Sequence, residues 1–262
     1  MRKFLTSIGA AAVTLLLSSC FELSAVLTIN KDGSGTVEET TLMSAQMKAM
    51  MGSAPKSAEG GGDMNMSLLP TKEKAAEKAK KMGDGVTVKS LEEIKAPDGR
   101  EGAKVIYAFK DVNKLSYEPG DMKEEKKDQA FAFSGGTLTI TQNHDKKAAK
   151  PEVKDDAAPK PTPEQMEQQM AMMKPMMAGM KMSFKIKAAD GIASTDATNV
   201  DGNTITLMDI NFDKVLATPD GMKKFAATAD NKDMSPADAA EALKGVDGVK
   251  IEAKEKVTVK LK

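Results

Sequence analysis

The chain has no tryptophan, two tyrosines, one cysteine and one histidine in 262 residues. Each scarcity removes a class of function. A single cysteine forbids an internal disulfide and a cysteine-rich metal site. The single histidine, His144, lies in a run of Lys, Ala, Asp, Glu and Pro, where nothing holds an imidazole within reach of a substrate. Ser-His and Cys-His nucleophile pairs are therefore close to excluded. No G-x-S-x-G elbow, H-E-x-x-H helix or P-loop is present. No acidic pair stands apart from ordinary surface charge. The 38 basic residues balance 38 acidic ones, which leaves no basic excess for nucleic acid. Arginine occurs only at Arg2 and Arg100. These absences predict a protein that is not an enzyme, takes no cofactor and binds no nucleic acid.

What is present begins at the first residues. Arg2 and Lys3 form a positive start, Phe4 to Leu17 a run of small and apolar residues, and Ser18 and Ser19 a small-residue cut site. The run is shorter than the roughly 20 apolar residues a bilayer crossing needs. Leu17-Ser18-Ser19-Cys20 resembles the bacterial lipobox at every position. The resemblance implies a signal peptide over residues 1–19, cleavage before Cys20 and a thioether-linked diacylglycerol on its sulfur. It also implies a further acyl chain, such as palmitate, on its amine. The alternative is an ordinary signal peptide, or a short anchor helix, with an incidental cysteine. Each buried methylene contributes about 0.8 kcal/mol, so two or three chains hold a protein on a membrane where one does not. The predicted location is the bacterial cell envelope. Phe21, rather than aspartate, follows the cysteine and favours an outer over an inner membrane where the organism has one. Loss of residues 1–19 leaves 36 bases against 38 acids, a net charge of −2.

The body reads as hairpins with intervening helices. Glu22–Asn30 and Thr36–Met43 alternate across the Lys31-Asp32-Gly33-Ser34-Gly35 turn. Ser44–Met51 has helical character, and Thr71 caps a second helix with Ala75, Ala76, Ala79 and Met82 as its apolar face. Strands follow at Val86–Ile94 and Ala103–Phe109, with Val105, Tyr107 and Phe109 on one face. Asp111–Tyr117 predicts a short helical turn. Another hairpin, Phe131–Ser134 with Thr137–Thr141, turns at Gly135-Gly136. Glu164–Met180 has helical period, with Pro175 set to kink it. Strands are predicted at Lys181–Lys187, Gly191–Ala197 and Thr204–Ile210, the last two joined through residues 199–203. A helical turn at Asp213–Ala217, a helix from Ser235-Pro236 and an extended tail from Gly248 complete the chain. Hairpins joined by tight turns predict an α+β fold, a mostly antiparallel curved sheet with helices packed on one face. Residues 20–142 make its first part, residues 143–163 a flexible Lys/Ala/Pro loop, and residues 164–262 complete it.

The run F-E-L-S-A-V-L-T-I-N-K-D-G-S-G-T-V-E-E-T directly after the lipobox is similar to the opening of LppM-type bacterial lipoprotein domains. So is V-D-G-N-T-I-T-L-M-D-I-N-F later in the chain. The resemblance implies an α+β envelope domain with lipid-binding or interaction roles and no established catalytic motif.

Two local patterns remain. Asp209, Asn211 and Asp213 space like the first ligands of an EF-hand loop, but Lys214 and Asp220 stand where Gly and Glu are required. Inward-facing Ile210 and Phe212 on an exposed strand end explain the alternation better. The chain carries 20 methionines, and Met166, Met170, Met173, Met177 and Met180 form one stripe of the predicted helix, thickened by Met172, Met176 and Met182. Thioethers are adaptable apolar surface and also soft ligands for Cu(I). The stripe supplies almost all of that helix's apolar face, and methionine replaces leucine elsewhere too. The leading expectation is an apolar groove for lipid or an envelope protein, with Met166, Met170, Met173 and Met177 lining it. The alternatives are a copper-binding envelope protein using Met172, Met176 and Met180, or a purely structural assembly module.

Overall fold

The computed structural model describes residues 21–53, 70–117, 129–142, 174, 177–229 and 235–262. Strand β1 (Phe21–Ile29) places Ala25, Leu27 and Ile29 on its buried face. It turns into β2 (Gly35–Met43) through a loop tied by Asp32, whose Oδ1 accepts from the Ser34 amide at 2.9 Å and the Ser34 hydroxyl at 2.6 Å. Gly33 there has φ +82°, a conformation that disfavours a side chain. Helix α1 (Ala45–Ser53) follows, then α2 (Lys72–Met82). Thr71 caps α2, its Oγ1 accepting from the Lys74 amide at 3.2 Å, and Ala75, Ala79 and Met82 form the buried stripe.

Strands β3 (Thr87–Lys95) and β4 (Glu101–Phe109) complete an antiparallel group in which β4 lies between β2 and β3. A 3-10 turn at Val112–Lys114 leads towards the hairpin β5 (Gln129–Ser134) and β6 (Thr137–Gln142). Strand β7 (Lys181–Ala188) runs parallel to β1 over eight register pairs from Glu22–Lys181 to Ile29–Ala188. Then come β8 (Ile192–Thr195), β9 (Val200–Asp201) and β10 (Thr204–Asn211). Three short helices follow: α3 (Phe212–Val215), α4 (Pro219–Ala229) and α5 (Pro236–Ala242). Strands β11 (Val249–Ile251) and β12 (Lys256–Leu261) come last.

The strands form two sheets. The larger runs β11-β10-β7-β1-β2-β4-β3, with β9 paired to β10, and the smaller runs β5-β6-β12-β8. The fold is thus α+β and mostly antiparallel. The turn at residues 202–203 joins β10 to β9, while β8 crosses to the second sheet and pairs with β12. The extended tail after Gly248 likewise divides, β11 joining one sheet and β12 the other.

Packing explains the division. Inward residues of both sheets, Leu27, Ile29, Val37, Tyr107, Phe184 and Ile205 from one and Leu138, Ile140, Val257 and Val259 from the other, form one core with α2. A second, smaller core consists of Ile210, Phe212, Val215, Leu216, Leu243 and Val246. Among the described residues no helix is long and apolar enough to cross a membrane.

Candidate functional site

The register brings several chain segments to one end of the larger sheet. Phe21 pairs with Met43, Met43 with Glu101, and Glu101 with Lys95. Beside them, Glu22 pairs with Lys181, and Lys181 with Asn211. The start of β1, the start of α1, the Pro97-Asp98-Gly99 turn, residues 177–180 and α3 therefore share this end, where the chain arrives from residue 20.

A charged network ties the end together. Arg100, 6% exposed, donates from Nη1 to Glu22 Oε2 and from Nε to Asp98 Oδ2, each at 2.8 Å. Burial opposes its charge, but the hydrogen bonds to Glu22 and Asp98 outweigh it and raise its pKa. Burial likewise opposes the Asp98 carboxylate, and the Arg100 amide and guanidinium outweigh that, lowering its pKa. Glu101 accepts from Lys48 at 2.8 Å and pairs with Lys95 at 2.7 Å. Those two hydrogen bonds, Lys48 first, bring its pKa down to about 2.

Methionines surround the smaller core at this same end. Met177, Met180, Met182, Met208 and Met222 pack around it together with Phe225. Phe212 and Phe225 meet edge to face at 5.0 Å. Residues 177–180 are fastened to α3 by two bonds. Asp213 Oδ1 accepts from the Gly179 amide at 2.5 Å, and the Phe212 amide donates to the Met180 carbonyl at 3.0 Å.

Of the methionines expected to line a groove, Met177 lies in this cluster, half-buried, and Met166, Met170 and Met173 lie outside the described residues. Of the alternative copper set, Met180 packs in the cluster, and Met172 and Met176 lie outside the described residues. So do Leu17, Ser18, Ser19, Cys20 and His144. The EF-hand spacing is dispersed. Asp209 pairs with Lys185 at 3.4 Å, Asn211 caps α3, Asp213 holds Gly179, and Ile210 and Phe212 are buried between them. Among the described residues no group of three or more His, Cys, Asp or Glu is placed to hold a metal ion.

Two buried polar groups escape sequence reasoning. Glu39 sits on the apolar phase of β2, its Oε1 accepting from the Tyr117 hydroxyl at 2.7 Å and from Lys78 Nζ at 2.8 Å. Lys78 also lies 5.9 Å from the Tyr117 ring centroid, and that ring packs on Phe184 at 5.6 Å. Glu39 falls in step with Val37, and a charge on that face is the signal that could have exposed it. Glu252 is 0% exposed. Its carboxylate accepts from the Thr198 amide at 2.5 Å, the Thr198 hydroxyl at 2.9 Å and the Lys254 amide at 3.3 Å. Both groups accept hydrogen bonds from internal partners, as buried polar atoms need to, and they join packed elements. The crevice between the sheets at Ile29, Leu138, Ile186, Ile205 and Val259 has no room for a water molecule.

No protein-family model matches the chain, and no curated protein matches it. Among solved structures, the folded domain of Mycobacterium tuberculosis LppM, determined by NMR, is similar to it. The likeness covers 74% of this chain and 84% of that one, at 9% sequence identity and a TM-score of 0.31. This is a weak structural resemblance.

Proposed function

We propose that the chain is a lipid-anchored, non-enzymatic protein of the bacterial envelope. Acylated Cys20 holds it on the membrane, and its methionine-rich end offers apolar surface to lipid or to an envelope protein. The observation that carries this reading is the position of β1. Its first residue, Phe21, directly follows Cys20, so no spacer separates the lipobox cysteine from the sheet. The Met177–Met182 cluster lies at the same end. An acyl anchor on Cys20 thereby brings that end close to the bilayer.

Mass spectrometry of protein extracted gently from its own membranes tests the reading. The expected species begins at Cys20, carries a diacylglycerol and retains co-purifying lipid or an envelope partner. Cys20→Ser is expected to leave the precursor uncut and without lipid. An unmodified cysteine in membrane-extracted protein refutes the anchoring. Acylated protein that carries neither lipid nor partner refutes the apolar surface.

A further inference from the structure

Outside α1, the described methionines fall into two environments. Met43 and Met82 are 4% and 3% exposed. Met177, Met180, Met182, Met208 and Met222 are only partly buried, and all five pack around the smaller core. That core has six buried members, and three short helices, β10 and β11 contribute to it and its surroundings. Its thioethers are therefore a large share of what holds this end together. The two-sheet core contains Met82 and touches Met208, but is otherwise built from aliphatic and aromatic side chains.

We propose that Met177, Met180, Met182 and Met222 form an oxidation-sensitive latch. Their conversion to sulfoxides frees residues 177–180 and α3–α5 from the larger sheet while the two-sheet core stays folded. The co-reactant is hydrogen peroxide. The thioether sulfur attacks the terminal peroxide oxygen, the O–O bond breaks, a sulfur–oxygen bond forms, and water leaves once the protons rearrange. Sulfur loses two electrons and the peroxide gains them. The product is polar and chiral where an apolar, flexible chain had packed. The Gly179 and Phe212 amides, on the two segments joined here, are already committed to Asp213 and the Met180 carbonyl and are not free to bond the new oxygen. Burying that oxygen unpaired is unfavourable, so the end opens. Reduction of the sulfoxide by a dithiol-driven reductase reverses the step.

The test treats the full mature chain with hydrogen peroxide, then maps oxygen addition by peptide mass spectrometry and amide exchange in parallel. Met177, Met180, Met182 and Met222 are expected to oxidise before Met43 and Met82. Amides of α3–α5 and β11 then exchange about tenfold faster or more, while those of β1, β2 and β4 stay protected. Replacing all four by leucine keeps volume and apolarity and is expected to abolish the exchange response. Oxidation of Met43 and Met82 at equal rates overturns the proposal. So does unchanged exchange in fully oxidised protein, or the same peroxide response in the leucine variant. The leucine comparison separates this cluster from the methionines of residues 164–176.

Discussion

Arg100 is the one arginine among the described residues, and Arg100→Met tests whether it closes the end of the fold that the chain enters. Methionine keeps an unbranched apolar stem and deletes the guanidinium. Two charged hydrogen bonds of 2.8 Å are lost, to Glu22 and Asp98. A charged hydrogen bond contributes about 1.5–3 kcal/mol where both partners are buried. Here the arginine side chain is 8% exposed, but Glu22 and Asp98 are 27% and 35% exposed and rehydrate once the cation is gone. Solvent screening scales the pair down, and the loss comes to about 2–3 kcal/mol in total. For a domain of this size that lowers the thermal midpoint by about 5–10 °C.

The assay is thermal and urea unfolding of the protein, completed as a double-mutant cycle with Glu22→Gln. A coupling of about 1 kcal/mol or more between the two positions is expected. Amide exchange near Phe21 and Leu23 rises in the variant, because Glu22 is the residue the guanidinium holds. An unchanged midpoint, or a cycle with no coupling, refutes the reasoning.

Glu252→Ala strips the Thr198 amide and hydroxyl of their acceptor in a site with 0% exposure, and urea unfolding is expected to show a loss of about 3 kcal/mol. Tyr117→Phe removes one of two donors to Glu39 and keeps the ring on Phe184, so the loss is smaller, about 1–2 kcal/mol by the same assay. Gly102→Ala drives a methyl into the Thr41 carbonyl between paired strands, and is expected to destabilise by about 2 kcal/mol more than strand propensity alone predicts. Glu101, Asp98 and Asp196 have lowered pKa values in the fold. Their contribution is complete above the ordinary carboxylate range and is lost as pH falls through the folded values, about 2 for Glu101. Urea midpoints measured from pH 5 downwards are therefore expected to fall, and Glu101→Gln to flatten that fall.

The elements that could be read from sequence are those with local chemistry. Asn30–Gly35 and Gly135-Gly136 fix their hairpins because glycine and Asp32 fit the turns. Alternation placed Val105, Tyr107 and Phe109 correctly in the core. The cap at Ser235 was equally visible, and the structure adds its reciprocal bond, the Ser235 amide to Asp238 at 3.3 Å. Helix α4 carries a similar signal in Thr218-Pro219, with Thr218 Oγ1 accepting from the Gly221 amide at 3.1 Å. The apolar pattern does not mark this helix, because few apolar residues, chiefly Met222 and Phe225, lie on its packed face. The parallel pairing of β1 with β7 has no local cause. The two strands lie some 150 residues apart in the chain, and only their apolar faces and the shared core select the register. The split of the tail between two sheets has the same origin. Residues 252–255 separate β11 from β12, and buried Glu252 pins that crossing to Thr198.

The placement of β1 has a mechanical consequence for a chain anchored at Cys20. In the order β11-β10-β7-β1-β2-β4-β3 it is the middle strand. It is paired along its whole length to β2 by nine register pairs, and from Glu22 onward to β7 by eight. A pull transmitted through Phe21 acts along the strand, so both ladders are loaded in shear, and the hydrogen bonds resist together instead of opening one after another. An edge strand such as β3, paired on one side only, has one ladder to load instead of two. The Arg100 bond to Glu22 adds a stop at the first turn of the ladder, where fraying begins. Under the proposed anchoring, tension on the acyl chains therefore reaches a central strand held by ladders on both sides. The methionine-lined helices beside it are free to respond to their own chemistry without releasing the protein from the membrane.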